Sequence, residues 1–196
     1  MWKNKTPGIP DEQFERTEDV PITKEEIRTL QISKARLCPG QTVYDIGCGS
    51  GSITVEAAIQ IESNGKVFAI DFDSNAIDLT KKNLEKFGLS NVKVILGNAK
   101  EKISDLPEAD AIFIGGTGGD TQKIIELCHN KLKPGGRIVI GVILIETLYS
   151  VISIMEKLNF TSVDITQITI SKSRKTSTGT MMLARNPVTI ISATKT

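Results

Sequence analysis

Gly47, Gly49 and Gly51 stand at alternate positions directly after the apolar run at residues 43–46, with Asp45 inside that run. The stretch VYDIGCGSGSITVEAA then passes into a helical pattern that puts Ile53, Ala57, Ala58 and Ile61 on one face. Three closely spaced glycines suit a turn that needs backbone angles closed to other residues and that lets a ligand approach the main chain without meeting a Cβ. The N–H groups opening the next helix then face whatever lies in that turn. A dinucleotide fingerprint would place glycine sixth from Gly47, where this chain has Ser52, which counts against NAD or FAD.

The elements that position this turn follow an alternating pattern. Thr23 and Glu26 form a capping-box pattern that predicts a leading helix from there to about Leu37, stopped by Cys38, Pro39 and Gly40. Strands are predicted at 67–70, 92–96, 111–114 and 138–144, and helices at 74–87, 100–103, 121–132 and 146–158. Such alternation gives a parallel sheet with helices on both faces. The last two β-branched runs, 163–170 and 180–191, have no helix between them and predict a hairpin, with Pro187 at a bulge or strand edge. The expected fold is therefore α/β: a doubly wound, mostly parallel seven-stranded sheet ending in an antiparallel hairpin. One domain is expected over 1–196, made of an arm (1–20), the leading helix (21–38), the α/β core (39–160) and the hairpin (161–196).

With Asp45 in front, the run D-x-G-x-G-x-G resembles motif I of the class I, Rossmann-like methyltransferases that use S-adenosylmethionine. In doubly wound sheets the ligand lies beyond the carboxyl ends of the strands, so the residues ending each strand carry the chemistry. Asp71 ends the second strand, twenty residues after Gly51, where an acid can accept hydrogen bonds from ribose hydroxyls; Asp73 or Ser74 serves better as cap of the next helix. Asn98 and Ala99 follow the third strand, where the family often has Asp-Ala over the adenine, and an amide can also bond a purine edge. A polar turn before a short helix is the other reading of Asn98.

The fourth strand runs into Gly115, Gly116, Thr117, Gly118, Gly119 and Asp120. The Asn-Pro-Pro-Tyr type of motif that amino-group methylating enzymes often carry here is absent. Four glycines around Thr117 leave room for a bulky flat acceptor, and their N–H groups could bind carboxylates. Glu146, after the fifth strand, is a candidate for a polar group facing the substrate, with helix capping the competing role. Cys48 reads as a small residue beside the cofactor and not as a nucleophile. His129, the one histidine, sits in the last turn of a helix and is not expected to be catalytic.

Composition bounds the rest. A chain of 196 residues with 39% hydrophobic content suits one ordinary globular core, and a formal charge of +1 offers no long-range attraction for nucleic acid or an anionic membrane. No run is apolar enough to span a bilayer and no leader pattern opens the sequence, so the cytoplasm is expected. Three cysteines without C-x-x-C spacing suggest neither a disulfide framework nor a metal site. Residues 161–196 hold five bases against one acid, while the first 26 residues hold seven acids against four bases. Lys172 and Arg174 are thus candidates for a substrate rich in carboxylates, the alternative being a solvated loop or pairing with an acidic arm from a neighbouring subunit.

Across nearly its whole length the chain resembles the decarboxylating C15-methyltransferases of corrin-ring biosynthesis. The resemblance is carried by GIPDEQF from Gly8, PIT from Pro21, DIGCGSG from Asp45, GGTGGD from Gly115, LKPGGRIVI from Leu132, ILIET from Ile143 and GTMMLARNPV from Gly179. It implies S-adenosylmethionine as cofactor, held by Thr23, the turn from Gly47 through Cys48, Gly49 and Ser50 to Gly51, Asp71 and Ala99, with Asp45 and Asn98 joining them. It further implies a tetrapyrrole substrate beside Gly116, Thr117, Gly118 and Gly119, methylation at C15 of cobalt-precorrin-6B, and loss of carbon dioxide from the ring-C acetate. Homotetramers, and a separate enzyme for the C5 position, are also expectations of this resemblance. An RNA methyltransferase of the tRNA adenine type and a non-catalytic cofactor-binding module are the competing readings.

Overall fold

The computed structural model describes Trp2 and residues 4–196; Met1 and Lys3 of the expected arm lie outside the described residues. Five strands, β1 (Thr42–Ile46), β2 (Lys66–Asp71), β3 (Val92–Leu96), β4 (Ala109–Ile114) and β5 (Leu132–Val142), are joined through helices. These are α2 (Ser52–Gln60) after β1, α3 (Ser74–Phe87) after β2, the short α4 (Ala99–Lys102) after β3 and α5 (Thr121–Lys131) after β4. α1 (Glu25–Ala35) leads the series and α6 (Ile145–Lys157) follows β5. The strand order is β3-β2-β1-β4-β5-β9-β6. β6 (Thr161–Ile168) lies at the edge, and β9 (Val188–Thr194), antiparallel to both β5 and β6, is the one antiparallel strand of the seven. The expected doubly wound, mostly parallel seven-stranded sheet is what forms.

Burial explains the strand sequences. β1 and β4, in mid-sheet, are covered on both sides, and Val43, Tyr44, Ile46, Ile112 and Ile114 are all buried. Helices α1, α2 and α3 pack on one another over one face, and α4, α5 and α6 over the other. The arm lies against the first layer: Ile9 and Phe14 are buried with Val55, Leu84 and Phe87.

Two expectations need correction. The capping box does not form: the N-cap of α1 is Lys24 with no side-chain cap, and the orphan N–H of Glu25 is accepted by Asp11 Oδ1 at 2.9 Å. Glu26 instead turns to the hairpin. α1 also stops at Ala35, because Arg36 takes a left-handed conformation (φ 54°) and breaks the repeat. The hairpin is longer than two strands: beyond β6 and β9 the same chain continues as a separate two-stranded ribbon, β7 (Ser171–Lys175) with β8 (Thr180–Ala184). The polar residues 171–179 between the two predicted runs are therefore partly strand; polar residues suffice because the ribbon has solvent around it and needs no alternation. Pro187 lies between β8 and β9, where its missing N–H breaks no ladder bond.

Candidate active site

The glycine turn is held by chain segments from three directions. Asp71 Oδ2 accepts from Gly49 N–H at 2.9 Å, and its Oδ1 accepts from Asp73 N–H at 3.0 Å. The capping of α3 falls to Asp73, which accepts from Asn75 N–H at 2.9 Å. Pro21 O accepts from Ser50 N–H at 3.1 Å, and a Cβ on Gly49 would stand 2.7 Å from that same carbonyl. Gly47 is required by its other neighbour: a Cβ there would lie 2.6 Å from Gly116 O and 2.7 Å from Gly116 N. The glycines thus let the arm and the loop after β4 close onto the turn, as well as leaving main chain open to a ligand.

An open cavity lies beyond the ends of β1, β2, β3 and β4. Gly47, Asp71, Phe72, Gly97, Asn98, Ala99, Gly116, Thr117, Gly118 and Asp120 are among the residues lining it. Of the sequence-based cofactor candidates it brings together Gly47, Asp71, Asn98 and Ala99. Asp71 is only 8% exposed yet borders the cavity, and each oxygen keeps an acceptor site after its backbone bond. Asn98 Oδ1 caps α4 by accepting from Lys100 N–H at 3.0 Å, which leaves its NH2 as the available group. Phe72 is a residue the sequence reading missed. Its ring is 76% exposed at the cavity wall, and the signal was an aromatic directly after the strand-ending acid. Asp120, at the cavity wall, pairs with Lys100 at 2.5 Å.

Other candidates sit away from the cavity. Asp45 is buried beneath the turn, where its Oδ2 accepts from Thr54 Oγ1 at 2.5 Å; desolvation, with the nearby Asp71 charge, pushes its carboxyl up to about 6. Cys48 is buried against Thr80, and desolvation raises its thiol far above the usual range, which removes thiolate reactivity. Gly51 is the N-cap of α2. Thr23 lies beside the first turn of α2, its carbonyl accepting from Arg28 and, at 3.5 Å, from Ser52 Oγ. His129 packs edge-on to Phe160 and lines neither cavity of this site; burial and the Lys195 charge lower its pKa.

A second cavity adjoins the first through a shared wall of Gly116, Thr117 and Gly118. It also takes in Gly119, Thr121, Val142, Ile143, Leu144, Glu146, Thr147 and Ser150. Apart from the chain neighbours of each, no atom of the described residues lies within 4 Å of where a Cβ on Gly116, Gly118 or Gly119 would be, so this loop presents bare main chain to open space. Glu146 stands in the first turn of α6 without acting as its cap. The basic candidates are elsewhere. Lys172 is engaged by Glu26 and by Glu25 at 3.6 Å, and Arg185 lies 3.8 Å from Glu26. The acidic partner of the hairpin is thus the chain's own α1, and Arg174 is exposed on the ribbon.

The comparisons with known proteins agree with this geometry. A sequence model described as the precorrin methyltransferase domain matches residues 12–195. This chain belongs to that family. A relative from Saccharolobus solfataricus, named a probable cobalt-precorrin-6B C(15)-methyltransferase (decarboxylating), is 48% identical over 196 residues, covering 99% of this chain and 98% of its own. Among solved structures, precorrin 8W decarboxylase from Methanobacterium thermoautotrophicum superposes with a TM-score of 0.89 at 38% identity, covering 94% of this chain and 98% of that one. Precorrin-6y C5,15-methyltransferase from Geobacter metallireducens does so with a TM-score of 0.90 at 34% identity, covering 97% and 98%. The chain is thus a methyltransferase of the class I fold, and neither the RNA reading nor the non-catalytic one is favoured.

Proposed function

We propose that this chain is an S-adenosylmethionine-dependent C-methyltransferase that methylates C15 of cobalt-precorrin-6B and decarboxylates its ring-C acetate, in anaerobic cobalamin biosynthesis. The observation that carries the reading is the pair of cavities meeting at Gly116, Thr117 and Gly118, beyond the ends of the parallel strands, in a chain of this family. The residues present fit the cofactor: Ser50 Oγ is buried with no hydrogen-bond partner among the described residues, Asp71 keeps spare acceptor sites at the cavity, and the Phe72 ring lies open beside it. Asp71 would hold the ribose, Ala99 and Asn98 the adenine, and the glycine turn, through its main chain at Gly47 where it borders the cavity, the methionyl part. S-adenosylmethionine supplies, when bound, an electrophilic methyl on its sulfonium.

The chain's own contribution is placement. A half-reduced tetrapyrrole is electron-rich at its bridging carbon, so holding that carbon in line and excluding water provides most of the rate. The conjugated ring can take up the electron pair left when the acetate loses carbon dioxide. Glu146 is the candidate for the group that returns a proton to the new methyl.

Several coarser facts support further parts of the reading. No helix among the described residues is long and apolar enough to cross a membrane, which is consistent with a cytoplasmic enzyme. A homotetramer is supported by unpaired apolar surface: Ile145, Tyr149, Val163, Ile165, Met181 and Met182 are all exposed. A separate enzyme would methylate C5. Incubation with S-adenosylmethionine and cobalt-precorrin-6B, read by product mass, tests the assignment. Gain of a methyl with loss of carbon dioxide is expected. Gain of a methyl alone moves decarboxylation to another protein, and no change with cofactor binding intact rejects the methyltransferase reading.

A further inference from the structure

Ile143 and Leu144 directly follow the buried end of β5, yet they are 71% and 59% exposed, beside a Val142 that is 5% exposed. Both line the second cavity, facing the same space as the bare main chain of Gly116, Gly118 and Gly119. Among the described residues lining that space there is no Lys, Arg or His, and its side-chain polar groups are the hydroxyls of Thr117, Thr121, Thr147 and Ser150 and the carboxyl of Glu146. At the hairpin base, Lys172 is engaged by Glu26 and Glu25, and Arg185 lies 3.8 Å from Glu26. A slot with an apolar shelf on one side and backbone on the other, and with no cationic side chain among its described lining residues, gives a carboxylate no ion-pair partner. It favours the face and edge of a flat conjugated ring, which has apolar area to bury.

We propose that Ile143 and Leu144 form the shelf on which the ring of the acceptor lies, so that this enzyme recognises its substrate by the ring's apolar surface, with the carboxylate arms other than the one to be lost left in solvent. This rests on the methyl-transfer reading, since the shelf is assigned to the acceptor through its continuity with the cofactor-side cavity. It replaces recognition by Lys172 and Arg174 with recognition by residues that carry no charge. The occupant is a planar, conjugated macrocycle of the tetrapyrrole class.

Leu144 offers a clean test because it is also the N-cap of α6 and makes no side-chain cap. Leu144→Ser supplies a better N-cap, so a merely structural role predicts an unchanged or higher Tm. The measurement is a spectral titration of the full-length protein with the cobalt-bearing tetrapyrrole in the presence of S-adenosylhomocysteine, which reads binding without turnover. Leu144→Ser and Ile143→Ser are each expected to weaken tetrapyrrole binding by about tenfold, from lost apolar burial. S-adenosylhomocysteine affinity and the sedimentation coefficient should be unchanged. The wild-type Kd should shift by less than about twofold between low and physiological salt, as uncharged contacts escape screening. Tetrapyrrole binding unaffected by both substitutions, or a wild-type affinity that collapses with salt, overturns the shelf. A change in sedimentation with either variant also overturns it, because the two residues then face a second copy of the chain. Wild-type binding that passes these tests without turnover rejects the catalytic assignment and leaves the shelf standing.

Discussion

Asp71 Oδ2 accepts the N–H of Gly49 at 2.9 Å, so a carboxylate at the end of β2 fixes the glycine turn that follows β1. The same side chain borders the cavity beyond the ends of β1 to β4 and bonds Asp73 N–H through its other oxygen. One group therefore shapes the turn and offers acceptor sites to a ligand.

Asp71→Asn should separate these roles from mere bulk. Both backbone partners of Asp71 are donors, so an amide must turn its NH2 toward one of them and lose that bond. With the charge gone as well, a loss of about 1.5–3 kcal/mol is expected, which is roughly ten- to a hundredfold in S-adenosylmethionine affinity. Isothermal titration with the cofactor checks it; an unchanged Kd would remove Asp71 from the site.

Gly47 and Gly116 touch each other but should answer substitution differently. Gly47→Ala puts a Cβ at 2.6 Å from Gly116 O, at a φ of +72°, so both the turn and the acceptor loop must shift. Strain and misplacement should lower stability by about 1–3 kcal/mol and displace both cavities. Gly116→Ala meets nothing within 4 Å and should leave Tm unchanged while raising the acceptor KM by crowding the shared wall. Thermal unfolding and steady-state kinetics on the two variants decide the matter; equal Tm losses would mean that Gly116 is structural.

Arg28 and Glu56 carry the arm. Both are buried, with Arg28 Nε donating to Glu56 Oε1 at 2.6 Å. Gly8 and Ile9 donate their N–H groups to Glu56 at 3.0 Å, while Arg28 also donates to Ile9 O, Thr23 O and Asp11. Glu56→Gln takes one of two buried carboxylates from Arg28, leaving Asp11 at 3.3 Å, and should cost about 1.5–3 kcal/mol. The double substitution Arg28→Met with Glu56→Leu should regain little, because the backbone groups of residues 8, 9 and 23 then lose their partners. Denaturant titration measures this, and full recovery in the double variant would show that the arm is held by Ile9 and Phe14 alone.

The sequence made the sheet and the turn legible because both rest on local signals. Alternate glycines after an apolar strand, β-branched runs and a strand-ending acid at Asp71 each act within a few residues. What escaped it depends on contacts between distant segments. Thr23 and Glu26 match a capping box, but Asp11 already caps Glu25 and the charges on Lys172 and Arg185 draw Glu26 away. Lys172 looked free for substrate for the same reason. Asp45 fits motif I, yet its carboxylate points to Thr54 beneath the turn, a direction that spacing does not encode. Ile143 and Leu144 read as the end of a strand; only the backbone bend into α6 shows that they leave the core.

The burial of Asp45 has a pH signature. Its carboxyl, shielded from water and near the Asp71 charge, titrates at about 6 in the folded chain, against about 3.9 when unfolded. The folded state therefore binds the extra proton more tightly. Asp45 contributes stability that is fully present below about pH 3.9 and is lost as pH rises through about 6. Two pKa units correspond to about 3 kcal/mol. Other groups titrate in this range, His129 among them, and its lowered pKa acts in the opposite sense. The comparison with Asp45→Asn cancels them, because the amide keeps an acceptor for Thr54 and has no charge to lose. Measured by denaturant unfolding, wild-type stability relative to Asp45→Asn should rise by about 2 kcal/mol from about pH 7 to about pH 4. A difference that stays flat across that interval would mean that water reaches Asp45 and that the turn is looser than its hydrogen bonds imply.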